Sequence, residues 1–362
     1  MKKSIAIIGG GPSALITAAF LDSKKFDITI YEKKKSLGRK FLVAGDGGFN
    51  LSHGEAIDDM ISRYTPNSFL KNALSNFTNE DLRNWLFTLE IPTFIGSSNR
   101  IYPEKGIKPI SVLNKIKQVL VDNNVRMMHN FEWKGWNSNN ELIFNDNNKL
   151  TSNYTIFSLG GASWKITGSD GSWLAAFKNK GINTLPFLPA NCAYKIEWPQ
   201  EFISKNEGLP LKNITLSCLK KKQKGELVIT KFGLEGNAIY ALSSEIQSSL
   251  SLKETSTIFL DLKPTLNTSD ILKKINASNL KLTETLKRKL KLSQPQIHLL
   301  KTILTKEEFT NKALLSKKIK ALPLIVHSAA PIDEAISTTG GISLNEVNEN
   351  FELNKLKNSF CI

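Results

Sequence analysis

Ser4-Ile5-Ala6-Ile7-Ile8-Gly9-Gly10-Gly11-Pro12-Ser13-Ala14-Leu15 opens the chain, and Phe26-Asp27-Ile28-Thr29-Ile30-Tyr31-Glu32 follows shortly after it. The first stretch is a β-branched run that stops on three glycines. Pro12 to Leu21 then has helical character, and Phe26 to Tyr31 predicts a second strand ending at Glu32. Strand, glycine turn, helix and strand within about 30 residues make a βαβ unit, whose strands run parallel and whose crossover is right-handed. The fold class is therefore α/β with a Rossmann-like core.

Gly9-x-Gly11-x-x-Ala14 carries the chemistry of this unit. Gly9 permits the tight turn, Gly11 lacks the Cβ that would block a pyrophosphate, and Ala14 lets the helix pack close to its strand. A diphosphate would sit on the helix N-terminus, where free N–H groups and the helix dipole favour negative charge. Glu32, at the tip of the second strand, is placed to accept ribose hydroxyls. A bare glycine turn would explain the glycines alone, but not the strand, helix and acid around them.

Composition bounds the rest. The chain has 362 residues, 41% hydrophobic and 22% charged, enough for two or three domains with substantial cores. Lys and Arg number 48 against 33 Asp and Glu, a formal charge of +15, yet only six are arginines. Base reading and bidentate phosphate clamping favour arginine, so the balance argues against a dedicated sequence reader. Residues 271–320 hold 13 Lys and Arg and three acids. That excess is either a solvated helical face or a patch for a polyanion such as RNA. No apolar run reaches the ~18 residues of a membrane span, and the glycines cut the signal-like start short. Three cysteines (Cys192, Cys218, Cys361) without a CxxC pair fit a reducing, cytoplasmic setting.

Helical pattern covers Phe69 to Leu89 and Pro109 to Val121, and Thr155 to Leu159 is a buried-strand candidate. Strand-like segments follow from Ala193 to Leu262, and Thr268 to about Leu322 is helical and Lys-rich. The expected domains are a discontinuous dinucleotide-binding Rossmann-like domain, 1–189 plus 323–362, a β-barrel-like insert at 190–266 and a helical insert at 267–322. Gly38-Arg39-Lys40 and Gly45-Asp46-Gly47-Gly48-Phe49-Asn50 form a second glycine-rich loop that would let backbone approach a long cofactor. A buried flavin needs this more than a nicotinamide does, and Arg39 or Lys40 could supply a cation to it.

Several segments in order resemble the BaiN/RdsA-like family of bacterial NAD(P)/FAD-dependent oxidoreductases. They are Gly38 to His53, Asn99-Arg100-Ile101-Tyr102-Pro103, Gly160-Gly161-Ala162-Ser163-Trp164, Thr167-Gly168-Ser169-Asp170-Gly171, Gly233-Leu234-Glu235-Gly236 and Ala335 to Ile342. The match is closest to the branch with a GRKFLxAGxGGxNLTH-type loop. The resemblance implies a two-dinucleotide-binding-domain fold with barrel and helical inserts. It implies FAD contacts at Gly9, Gly11, Pro12, Ser13, Ala14, Glu32, Lys33, Gly38, Arg39, Lys40, Gly47, Gly48 and Asn50. Trp133 would border the adenine, Gly160 and Gly161 would close the adenosine side, and Thr339, Gly340 and Gly341 would approach the flavin ring. Activities known in the family reduce carbon–carbon double bonds, in steroid-like bile-acid intermediates and in a uridine of ribosomal RNA, with hydride from flavin N5.

Three departures bear on that transfer. Gly48-Phe49-Asn50 stands where the branch with known activities carries Arg-Cys-Asn, Lys165 replaces a proline, and Asp46 replaces a basic or glycine position. Family members also continue past the final strand into a helix facing the flavin, whereas this sequence stops at Ile362. It reads as truncated, with weakened FAD retention expected.

Of the acid–base candidates, His53 beside the flavin loop could supply a proton, and Tyr240 could donate at a barrel–flavin junction. Loop orientation and packing are the bland alternatives for both. Cys192 reads as a small core residue, Trp133 and Trp136 as core aromatics, and His129, His298 and His327 have no ligand spacing, which argues against a metal or hydrolytic triad. No second GxGxxG occurs, so NAD(P)H would dock transiently. The expectation is an FAD-dependent oxidoreductase reducing an activated C=C bond of a small molecule. The alternatives are a dihydrouridine-forming flavoenzyme that contacts RNA through the 271–320 insert and an inactive remnant serving as a binding module.

Overall fold

β1 (Lys3–Ile8) sets the frame. In the computed structural model, which describes residues 1–43, 49–96 and 98–362, it lies between two parallel neighbours. One is β2 (Phe26–Glu32), reached through helix α1 (Pro12–Phe20), with Ile8 beside Tyr31. The other is Tyr154–Phe157, with Ile8 beside Phe157. Arg126–His129 continues the sheet beyond β2, and Ser359–Cys361 continues it beyond Tyr154–Phe157. The result is a five-stranded parallel sheet.

A parallel sheet needs both faces covered, and the side chains of β1 alternate accordingly. Ile5 and Ile7 pack with Ala14, Leu15 and Ala18 of α1 and with Val112, Leu113 and Ile116 of helix Pro109–Asp122. Ala6 and Ile8 face Trp133, Phe144, Phe157 and Phe177. Full burial of an isoleucine contributes about 1.5–3 kcal/mol, so the opening run is held as a strand from both sides. The second layer includes an antiparallel sheet of Trp133–Trp136, Leu142–Phe144 and Lys149–Leu150.

The chain divides into two compact units, 1–186 with 340–362, and 187–339. The second unit contains a seven-stranded antiparallel sheet whose edges are Leu322–Val326 and Ser328–Ala329. Only His327 separates these edge strands in sequence, so the sheet must curl until its ends meet, giving a barrel-like form. Helices from Thr268–Asn276 to Lys312–Lys320 bury Ile271, Leu286, Leu300 and Ile319 in the same core as Leu216, Ile229 and Leu260.

Three expectations change. Residues 267–322 share one core with the sheet rather than standing apart from 190–266. Residues 323–339 belong to the second unit, because Leu322–Val326 pairs with Ser256–Asp261. The helical stretch Phe69 to Leu89 is two helices, Asn67–Asn76 and Asn79–Thr88, divided where Thr78 and Asp81 form a capping box. Among the described residues no helix is long and apolar enough to cross a membrane.

Candidate functional site

The chain runs from β1 to β2 on one side and meets Tyr154–Phe157 on the other, so the strand order reverses beside β1. Open α/β sheets bind ligands just beyond the strand ends at such a point. Here the first unit has a cleft of about 490 Å³, floored by Ile8 to Ser13 and Ser158 to Gly160.

The three glycines differ in what fixes them. Gly9 has φ +102°, and a Cβ there would stand 2.2 Å from the Ser158 carbonyl oxygen. A Cβ on Gly10 would meet Leu37 Cδ2 at 2.2 Å. Gly11 is different: its φ is −77°, open to any residue, and nothing lies within 4 Å of the place a Cβ would take. The empty space is on the ligand side. Gly11 caps α1 without a side chain, and Pro12 at the first helical position suits the turn by its fixed φ. The N–H groups of Ser13 and Ala14 have no intrahelical acceptors. Ala14 itself is fully buried beneath, and Ser13 Oγ lies 2.6 Å from Ser158 Oγ.

Glu32 faces this opening. Its Oε2 accepts the Gly10 N–H at 2.7 Å and its Oε1 the Lys34 N–H at 2.7 Å. Each oxygen retains capacity for a further donor, as a ribose hydroxyl would supply. Two cleft-lining side chains also carry buried donors without partners, Arg39 Nε and Trp133 Nε1. An unmet buried donor costs about 1–3 kcal/mol, which a ligand rich in acceptors would offset. Trp133 is 9% exposed, and its ring is fixed edge to face on Trp136 at 4.8 Å between centroids. Trp133 is thus a core aromatic, as expected, that also lines the cleft. The space at Gly11, the open amides, the acid and the unmet donors fit an adenosine-diphosphate dinucleotide such as FAD.

The cations of this region have other partners. Lys33 Nζ lies 2.8 Å from Asp170 Oδ2. Arg39 Nη2 donates to the Ile166 carbonyl at 2.9 Å, and Lys40 Nζ donates to Ser163 Oγ at 2.8 Å. Burial pushes the Lys40 ammonium below its ordinary pKa. Burial also works to raise the Asp170 carboxyl, but hydrogen bonds from Lys33 and Ser172 outweigh it and hold the pKa at about 2.

The remaining expected residues fall elsewhere. Gly38, at φ +69°, donates its N–H to Gly10 O at 2.8 Å and supports the turn from behind. Gly160 lines the cleft, whereas Gly161 serves as acceptor for Ser169 Oγ. Asn50, His53, Gly340 and Gly341 are not among the lining residues, and Gly47 and Gly48 lie outside the described residues. Thr339 and Tyr240 are in the second unit. His53 Nδ1 is 3.3 Å from Glu55 Oε1 without hydrogen-bond alignment, and Glu55 is gripped by Arg63. Burial raises the Tyr240 phenol to about 12, with Glu235 adding to the shift. Burial likewise pushes the Cys192 thiol up to about 11, which suits its core reading. Sequence reasoning missed Thr167 to Ser169 and Trp173 as cleft walls. Their glycine-rich motif was visible, but its partner across the cleft was not.

Residues 3–362 match the profile described as the HI0933-like protein Rossmann domain. A 3-dehydro-bile acid delta(4,6)-reductase of Clostridium scindens is 25% identical over 280 residues, covering 75% of this chain and 67% of that protein. A ribosomal RNA dihydrouridine synthase of Haemophilus influenzae is 21% identical, covering 73% and 65%. The chain thus spans about two thirds of the length of the curated relatives it matches. Among solved structures, a 3-ketosteroid-delta4-(5alpha)-dehydrogenase from Rhodococcus jostii RHA1 is similar at 9% identity and TM-score 0.47, covering 99% of this chain and 90% of that one. With the fingerprint, the switch-point cleft and a profile match along nearly the whole sequence, the chain belongs to the HI0933-like Rossmann-domain family, oxidoreductases built on an FAD-binding Rossmann-like core.

Proposed function

We propose that the protein is an FAD-dependent reductase of an activated carbon–carbon double bond in a small molecule, with NAD(P)H as its reductant. The observation that carries this is the cleft itself: free space at Gly11 facing open helix amides, with the Glu32 carboxylate beside it. Bound there, FAD supplies hydride transfer at its N5 atom. The residues do the rest. Ser13 and Ala14 amides hold the diphosphate, Glu32 the ribose, Trp133 and Gly160 the adenosine end, and Arg39 offers its unmet donor to the phosphates. Lys33, Lys40, Gly38, Gly47, Gly48, Asn50, Gly161, Thr339, Gly340 and Gly341 complete the proposed cofactor set. His53, with the Glu55 carboxylate 3.3 Å from its ring, and Tyr240 are the proposed proton donors. The substrate class follows the reductase relative, and three unpaired cysteines suit a cytoplasmic setting.

Purified chain titrated with FAD should acquire flavin absorbance and a shifted band, then bleach under NADPH or NADH without oxygen. A protein that stays colourless with excess FAD overturns the reading.

A dihydrouridine-forming role on RNA is the second reading, favoured by the 13 Lys and Arg against three acids in residues 271–320 and by the synthase relative. Retention on an RNA column should fall steeply with salt and drop further on reversing Lys287, Lys289 and Lys291 to Glu. Unchanged retention in that variant removes the patch as an RNA contact.

A further inference from the structure

Residues 160–173 form a strap along one side of the cleft. It starts on Gly160 and turns again at Gly171, both at φ +70°. Its base is closed on itself, because Ser169 Oγ donates to the Gly161 carbonyl at 2.9 Å and Trp173 Nε1 to the Gly160 carbonyl at 3.0 Å. The strap also lies directly on the chain beyond β2: a Cβ on Gly168 would come 3.2 Å from Lys34 Cγ. Three cations from residues 33–40 hold it, but two of them reach neutral oxygens, those of Ile166 and Ser163. Of these three contacts, that of Lys33 with Asp170 joins opposite full charges, and the Asp170 carboxylate is steadied from behind by the Ser172 N–H and Oγ at 3.1 and 2.8 Å.

We propose that Asp170 is the latch of this strap: by capturing Lys33 it closes the strap against the chain beyond β2 and sets how fast a dinucleotide enters and leaves the cleft. This rests on the dinucleotide reading above. Asp170 is a positioning residue that acts through Lys33, and nothing in the proposal has it touch the ligand.

A latch and a ligand contact predict different kinetics. Releasing a latch speeds association and dissociation together and leaves affinity nearly unchanged, whereas losing a contact speeds dissociation alone. Stopped-flow FAD fluorescence on the whole chain should show both rates rising about two- to fivefold in Asp170→Asn, the range expected for one partly exposed ion pair. Molar salt should accelerate the wild type but not the variant. A change in dissociation alone, or in neither rate, overturns the latch. A second measurement needs no ligand: trypsin should cut after Lys165, within the strap, faster in Asp170→Asn than in the wild type. Equal cutting overturns the proposal even if FAD does not bind, whereas faster cutting without FAD binding upholds the latch and overturns only the dinucleotide reading.

Discussion

Gly9 and Gly11 are two residues apart and should respond oppositely to the same added methyl group. At Gly11 the methyl enters empty space at an ordinary φ, so Gly11→Ala should lower unfolding stability by no more than about 1 kcal/mol, the difference between Gly and Ala at an N-cap, while weakening ADP or FAD binding by tenfold or more. At Gly9 the methyl meets the Ser158 carbonyl at 2.2 Å with φ at +102°, so Gly9→Ala should destabilise by several kcal/mol, on the order of 2–4. Calorimetry and denaturant unfolding separate the two. This contrast was half legible in the sequence. The spacing identified the glycines and Glu32, because backbone rules act locally. It gave no sign that Lys33, Arg39 and Lys40 would be engaged by residues 163–170, since nothing local couples positions more than a hundred residues apart.

Element by element, the long periodic segments were readable and the short ones were not. β1, α1, β2 and Pro109–Asp122 matched within a residue or two, their patterns being long enough to show a period. Strands of two or three residues, such as Ser52–His53 and Ser328–Ala329, carry no period and exist only through their partners. The break inside Phe69 to Leu89 was legible in principle, since Thr78 and Asp81 stand at capping-box spacing. Thr78→Ala should cost about 1 kcal/mol, read from the shift in denaturant midpoint at unchanged slope.

The strap has a pH signature as well. Asp170 binds its proton more weakly in the folded chain, near 2, than at its ordinary 3.8. Its ion pair therefore stabilises fully above about pH 5, and that contribution falls away as pH drops toward 2. The stability gap between wild type and Asp170→Asn should stay level from pH 7 to 5, remain under about 1 kcal/mol because the pair is partly exposed, and close below pH 4. A gap that widens on acidification contradicts this sign.

For the whole molecule, composition and texture separated a Rossmann-like part from an insertion but misplaced its limits. The helical segment 267–322 looked self-contained because its lysines mark one solvated face; its apolar face, Ile271 to Ile319, is buried with Leu216 and Leu260. Which core a helix joins depends on distant strands, and periodicity does not encode it.

Ser359–Cys361 finishes the parallel sheet that β1 begins, pairing with Tyr154–Phe157. A ribosome releases residues in order, at roughly 5–20 per second. The nucleotide-binding sheet therefore waits, with Tyr154–Phe157 uncovered along one edge, while the entire 187–339 insertion is synthesised. Nascent chains should spend that interval exposed to chaperones and to aggregation through the open edge, and flavin capture should lag behind translation.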